Sequence, residues 1–513
     1  MEQYRIRRVR AALLALTAAG GLLLTGCSAS GDGANESSYD GGNKGGGYAP
    51  APEGEQEGSS PDSSDSDSRD VAPEPDYLST FALDVDTASY GYARRTLAEG
   101  SMPDPSTVRP EEFVNSFRQD YDRPDGNGFT VTVDGARTDK DDWSLVRVGL
   151  ATRAAEDTEE RPPAALTFVI DISGSMAEPG RLDLAKDSLG TMTDQLRDDD
   201  SVAVVTFSDE AERVLPMTRL DGNRDEVHDA IDGLEPTDST NLGAGVDTGY
   251  ETAEDGLREG ATNRVVLISD ALANTGDTDA DAILERIASE RREHGITLFG
   301  VGVGSDYGDQ LMEQLADKGD GHTAYVSDED DARKVFVDQL PRNIDLTARD
   351  AKAQVAFDPE TVEEFRLVGY DNRRVDDEDF RDDSVDGGEI GPGHTVTALY
   401  AVHHKPGTDG HLATANVRWL DPESRTPHEE SGQLESGDLD GDLWEAGSRL
   451  QITAVAAYFA DTLRSYGAEF SPLPGTPSLG ELSEHAHDLA RSTEDKDVTQ
   501  LAEAIDQAKR HGD

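Results

Sequence analysis

Cysteine occurs once in 513 residues, which excludes an internal disulfide framework and any cysteine-based zinc cluster. Basic residues are scarce: 46 Lys and Arg stand against 106 Asp and Glu, a formal net charge of −60. Phosphate binding needs a dense Lys/Arg face, so nucleic acid is excluded as a partner. No G-x-x-x-x-G-K-[ST] run is present, so the chain is no ATPase by itself and no nucleotide partner is expected. A G-x-S-x-G elbow is also missing, which weakens an esterase reading. After Leu24 no apolar run is long enough to span a bilayer as a helix. The chain is nevertheless 35% hydrophobic, enough for a sizeable core, and too long for a single one. Two to four units are expected.

The amino-terminal residues read as an address label. Arg5, Arg7, Arg8 and Arg10 precede an apolar run over 11–24, the length of a secretory signal core and too short for a comfortable membrane span. The run closes on Leu24-Thr25-Gly26-Cys27, which resembles the bacterial lipobox. That resemblance implies cleavage before Cys27 and a diacylglycerol on its thiol, so that residues 1–27 are a lipoprotein signal peptide. Two acyl chains anchor stably where one would be marginal. The Arg7-Arg8 pair leaves Sec and twin-arginine export both open. Residues 28–76 are almost entirely Ser, Gly, Pro and acidic, a disordered tether with nothing to bury. The expected location is the extracytoplasmic face of the cell membrane, held by lipid.

Three folded regions follow. Residues 77–150 open with a strand-like stretch, then helix-like segments near 89–99 and 110–117; Pro110, Glu111 and Glu112 suit a helix start. Over 160–342, near-continuous apolar runs at 166–170, 202–207, 265–269 and 296–303 alternate with amphipathic stretches at 182–197, 224–234, 242–254 and 280–294. Strand then helix, repeated, means a buried, mostly parallel sheet covered on both faces, a doubly wound α/β fold. Residues 350–510 change to alternating strands (354–357, 395–402, 413–419) and end in helices at 450–464 and 497–510. The α/β unit is thus expected between a small amino-terminal α+β domain and a carboxyl-terminal β-rich and helical one.

The informative motif sits where the first buried strand ends, in Asp171-Ile172-Ser173-Gly174-Ser175-Met176. Ligands of open parallel sheets bind at the strands' carboxyl ends. Asp, Ser and Ser at alternate positions on a turn can aim three oxygens at one point, and hard oxygen donors suit Mg²⁺, Mn²⁺ or Ca²⁺ rather than zinc. The run at 265–269 delivers Asp270, and the loop before 242 carries Thr240. The same crevice therefore collects Asp171, Ser173, Ser175, Thr240 and Asp270.

DISGSM, STNLGAG and LISDALANTG together resemble a von Willebrand factor A (VWA) domain with a complete metal-ion-dependent adhesion site. Asp171, Ser173 and Ser175 match its D-x-S-x-S element, Thr240 its distal threonine and Asp270 its later aspartate. Two departures are visible: Ala271 replaces a usual Gly, and Asp238-Ser239 stands where Gly is common. The flanks, TFALDVDTASY and VRPEE upstream, FRLVGYDNR and GEIGPGHTVTALY downstream, resemble the bacterial YfbK-like group over roughly residues 77–510. The resemblance implies a divalent cation, Mg²⁺ foremost, held directly by Ser173, Ser175 and Thr240, with Asp171 and Asp270 acting largely through water. It also implies an open coordination position for the Asp or Glu carboxylate of a partner protein. A binding protein rather than an enzyme is expected. A metal-assisted hydrolase and a structural organiser of an envelope complex are the alternatives.

Weaker motifs reduce to structure. Asp84-Val85-Asp86-Thr87 echoes a phosphatase nucleophile but lacks its context, so the two Asp residues are expected to close a strand or cap the next helix. Asp438, Asp440 and Asp442 begin like an EF-hand loop, but Leu443 takes the Gly position and Arg449 the bidentate Glu position. Gly300, Gly302 and Gly304 lack nucleotide-loop spacing, and His403, His404 and His411 read as lone histidines.

Overall fold

The computed structural model describes residues 77–512, apart from 84–85, 155–160, 238, 271–276, 304–314, 316–321, 327, 341–343, 345, 384, 386, 423 and 467–471. The expected signal segment, Cys27 and the tether lie outside the described residues.

The amino-terminal stretch begins with β1 (Leu78–Ala82), α1 (Ala88–Ala98) and α2 (Pro110–Asn115), followed by β2 (Phe129–Arg137) and β3 (Trp143–Thr152). Pro110 occupies the first turn of α2 as expected, where its missing N–H costs nothing. Glu112 does more than favour the helix start: it is buried, and its Oε2 accepts the Ser89 N–H at 2.7 Å, tying α2 to α1.

The α/β unit follows: β4 (Ala164–Asp171), α3 (Leu182–Gln195), β5 (Ser201–Phe207), β6 (Ala211–Arg219), α4 (Arg224–Asp232), α5 (Leu242–Asp255), β7 (Thr262–Ser269), α6 (Asp277–His294), β8 (Thr297–Val303) and β9 (His322–Val326). The sheet order is β6-β5-β4-β7-β8-β9, parallel throughout except for β6, which folds back on β5. β4, β5 and β8 are buried along their whole length, the expected price of lying in a sheet covered on both sides. One apolar cluster, with Leu189, Met192 and Phe336, packs on one face; another, with Val246, Tyr250 and Ile287, packs on the other.

The remaining strands are β10 (Ala348–Phe357), β11 (Val362–Leu367), β12 (Gly388–Ile390), β13 (Thr395–His404), β14 (His411–Leu420) and β15 (Pro427–Glu435). Their pairing joins the amino-terminal and carboxyl-terminal flanking stretches. β1 pairs antiparallel with β10 (Leu78 opposite Ala356), and β3 with β13 (Leu150 opposite Val396). The two stretches share a sheet ordered β1-β10-β14-β15, with β12 on β10, and a second ordered β11-β13-β3-β2. Phe81, Val148, Val355, Tyr400 and Val417 fill the space between the sheets. The helices Ser448–Arg464, Leu479–Thr493 and Lys496–Gly512, with α1 and α2, supply a further core against Leu145, Leu399 and Ala401. The α/β unit is therefore an insertion between β3 and β10 of one composite sandwich.

Asp86 neither closes a strand nor caps α1. It is buried; its Oδ1 accepts the Thr323 N–H of β9 at 2.5 Å and its Oδ2 accepts Arg373 Nη2 at 2.6 Å. That carboxylate is a joint between the α/β sheet and the sandwich. Asp84 lies outside the described residues.

Candidate metal centre

β4 ends at Asp171, whose side chain is completely buried. Its Oδ1 accepts the Ser173 N–H at 2.8 Å and its Oδ2 accepts the Ser269 hydroxyl at 2.6 Å. Ser269 is the last residue of the neighbouring β7, so the carboxylate clasps two strand ends. A short 3-10 turn, Gly174–Ala177, then brings Ser175 Oγ to 3.0 Å from Ser173 Oγ.

Thr240 is placed by anchors on both sides. Thr237 donates its N–H to Ile172 O at 2.6 Å, and Asn241 donates its N–H to Ser208 O at 2.6 Å. The loop holding Thr240 is thus stitched to the Asp171 turn and to the loop after β5. Ser239 adopts φ 71, a left-handed conformation that suits glycine and strains a residue with a Cβ. That explains why Gly is common there and what this chain's serine must tolerate. Asn241 caps α5, its Oδ1 accepting the Ala244 N–H at 3.1 Å. α5 then lies hard against the sheet: a Cβ on Gly245 would meet the Phe207 ring at 2.6 Å, and one on Gly249 would meet Val169 Cγ2 at 2.4 Å.

Asp270 follows β7 and is 1% exposed. Arg181 Nη1 lies 2.5 Å from its Oδ2, reaches the backbone oxygen of Ser175 at 3.3 Å, and its Nη2 pairs with Glu178 at 2.9 Å. Sequence reasoning missed this arginine; it precedes α3 with no motif to mark it. Ala271 lies outside the described residues.

The donor set fits a hard divalent cation. Octahedral ligands at Mg²⁺ distances stand about 2.9 Å apart, those at Ca²⁺ distances about 3.3–3.7 Å. The 3.0 Å between the two serine oxygens suits the smaller spacing, and is also a good hydroxyl hydrogen bond. Burial pushes the Asp171 carboxyl above its ordinary range against the pull of its Ser269 and Ser173 hydrogen bonds, and the Asp270 charge adds to the rise. Two carboxylates thus share a buried floor beneath two hydroxyls; Arg181 already pairs with Asp270, and a cation would relieve Asp171.

The other motifs are accounted for without a ligand. The Asp440 backbone bridges the β2 end at Gly135 and Arg137, while Asp442 Oδ1 accepts the Trp444 N–H at 2.8 Å. Gly300 and Gly302 lie inside β8. His403 stacks on Trp143, His404 meets Ser144 Oγ at 2.8 Å, and His411 sits between Glu435 and Thr414.

Comparison with known proteins follows the same division. The family model described as von Willebrand factor type A domain matches residues 165–338, from β4 to the end of the insertion. One described as uncharacterized protein YfbK, C-terminal, matches 343–434, and one described as von Willebrand factor matches 63–146. The uncharacterized protein YfbK of Escherichia coli (strain K12) is 33% identical over 419 residues, covering 77% of this chain and 72% of that protein. The chain belongs to the YfbK family of VWA-domain proteins. A second relative, the uncharacterized protein sll0103 of Synechocystis sp., is 27% identical over 205 residues, 39% of this chain and 47% of that one. Among solved structures, a von Willebrand factor type A protein from Catenulispora acidiphila overlays with a TM-score of 0.45 at 15% identity, covering 74% of this chain and 89% of that one. The VWA match thus covers the α/β insertion, and the YfbK C-terminal match covers strands of the composite sandwich.

Proposed function

We propose that this protein is a lipid-anchored, extracytoplasmic binding protein that captures a partner protein through a divalent cation, Mg²⁺ foremost, at the carboxyl edge of its α/β sheet. The observation that carries the reading is the pair of serine oxygens 3.0 Å apart above buried Asp171. Ser173, Ser175 and Thr240 would hold the ion, and Asp171 and Asp270 would set their orientation and charge. A bound divalent cation supplies an open coordination position for an Asp or Glu carboxylate. Every protein group has a simpler task. Ser269 and the Ser173 amide fix Asp171, the Thr237 and Asn241 anchors fix the Thr240 loop, and Arg181 fixes Asp270. Each partner is locked by another, which is the requirement for a preorganised site.

Binding rather than turnover is favoured because the histidine nearest the Thr240 loop in sequence is engaged on another helix. His228, the histidine nearest in sequence to the Thr240 loop, sits on α4 against Asp194 Oδ1 at 2.9 Å. Cys27 would receive the lipid, and the acidic segment after it would serve as leash. Among the described residues no helix is long and apolar enough to cross a membrane.

The test is a crosslinked pull-down from envelope extract with and without chelator, using the wild type and Thr240→Ala. A protein partner recovered only with metal and only by the wild type supports the reading; equal recovery in all arms overturns it. Fractionation of Cys27→Ala tests the anchor: release to the soluble fraction is expected, and retention after a salt wash would contradict lipidation.

A further inference from the structure

The two helices that follow the metal loops meet again at their far ends. α5 begins just after Thr240, and its last turn carries Glu254; α6 begins beyond Asp270, and its end carries Glu290 and His294. Glu290 and His294 are four residues apart and so share one helix face. One ligand atom from each of Glu254, Glu290 and His294 lies within 4.8 Å of the others. His294 Nε2 stands 3.8 Å from Glu254 Oε1 and 3.9 Å from Glu290 Oε2. These separations are too long for hydrogen bonds.

The second observation is an orphan. Glu290 is 7% exposed, and its Oε2 accepts no hydrogen bond from any described group. Its other oxygen faces Arg286 Nε at 3.3 Å. A buried carboxylate oxygen without a donor is costly. Here it is aimed at an imidazole nitrogen and a second carboxylate, the arrangement a metal ion would complete.

We infer that Glu254, Glu290 and His294 form a second cation site, distinct from the oxygen-lined crevice, that takes Zn²⁺ with a fourth position open. One imidazole and two carboxylates are a borderline donor set that suits zinc, whereas Mg²⁺ prefers oxygen alone. Tetrahedral ligands at zinc distances stand about 3.3 Å apart, so the two gaps to His294 close by roughly half an ångström and the Glu254–Glu290 gap by at most about 1.5 Å, within reach of side-chain rotation. Glu254 and His294 are partly exposed, which leaves an entry path. The site lies a helix length, about 20 Å, from the metal loops. An ion there would pin together the far ends of the helices that carry those loops.

The test is equilibrium dialysis of the full chain against Zn²⁺ in excess Mg²⁺, which occupies the crevice. Wild type should hold one more zinc per chain than His294→Ala or Glu290→Gln, and zinc should raise the melting temperature of the wild type only. Glu254→Gln, at a partly exposed position, provides a variant whose fold is not at risk, and it too should lose the ion. Asp171→Ala should retain this zinc, so failure here and failure of the crevice reading are separate results. Equal zinc content in wild type and His294→Ala, or no zinc in the wild type, would overturn the proposal.

Discussion

Arg181 Nη1 stands 2.5 Å from Asp270 Oδ2, with both side chains almost completely buried. A guanidinium is thus a resident cation in the floor of the crevice, and it fixes one oxygen of a carboxylate that the proposed metal site would also use. Breaking a buried pair leaves an uncompensated charge and costs about 3–5 kcal/mol. Arg181→Met should therefore melt well below the wild type in chelator and recover more on adding Mg²⁺ than the wild type gains. Melting curves with and without Mg²⁺ decide this; an equal metal-induced shift in both proteins would mean the ion does not share Asp270 with the arginine.

Thr240 and Asp171 should differ in what they do without metal. Thr240 is half-buried and no described hydrogen bond uses its hydroxyl, so Thr240→Ala should stay within about 0.5 kcal/mol of the wild type in chelator. Asp171→Ala strips partners from the Ser173 amide and the Ser269 hydroxyl, a loss of about 1–3 kcal/mol. Urea unfolding in chelator separates them, and equal stability of the two variants would show that the Asp171 clasp is not structural.

Acid sensitivity should come in part from the sandwich. Burial, with the Arg137 and His403 charges, pushes His404 down from 6.5 to about 4. As pH falls, the unfolded chain takes up this proton before the folded one does. The contribution is complete above about pH 6.5 and is lost as the pH drops to about 4. His404→Asn should flatten that limb of a stability-against-pH curve; an unchanged slope would assign the acid limb to other groups.

The contact of α5 with the sheet sets a limit on its glycines. Alanine at a helical Gly contributes about 1 kcal/mol through backbone entropy, but a Cβ at 249 meets Val169 Cγ2 at 2.4 Å. Overpacking of that kind costs about 1–3 kcal/mol or more, so Gly249→Ala should be destabilised on balance. Because α5 carries the Thr240 loop at its start, Mg²⁺ affinity should fall as well. Calorimetric Mg²⁺ titration of the folded variant checks this, and unchanged affinity would uncouple the helix from the loop.

The parts of this protein legible in sequence are those with local signatures. β4, β5, β7 and β8 announce themselves as apolar runs, and the crevice residues fall at strand ends. β6 was not legible, because as an edge strand it alternates exposed and partly buried positions over Ala211–Arg219. The helix Leu479–Thr493 has a start readable in sequence, the capping box of Ser478 and Glu481. Pairings such as Leu78 with Ala356 leave no local trace, since the partners are far apart in the chain. For the same reason Arg181, at Asp270, and Glu254, at His294, became visible only in the fold.

Binding of one divalent cation by Asp171, Ser173, Ser175, Thr240 and Asp270, as proposed, is read out in the thermal stability of the wild type and Thr240→Ala across a Mg²⁺ titration. The wild type should gain stability as Mg²⁺ passes its Kd, reaching about 2.7 kcal/mol at 100 times Kd, while Thr240→Ala should need a much higher concentration for the same gain. A wild-type melting temperature that stays flat across the titration would mean that these residues hold no such ion.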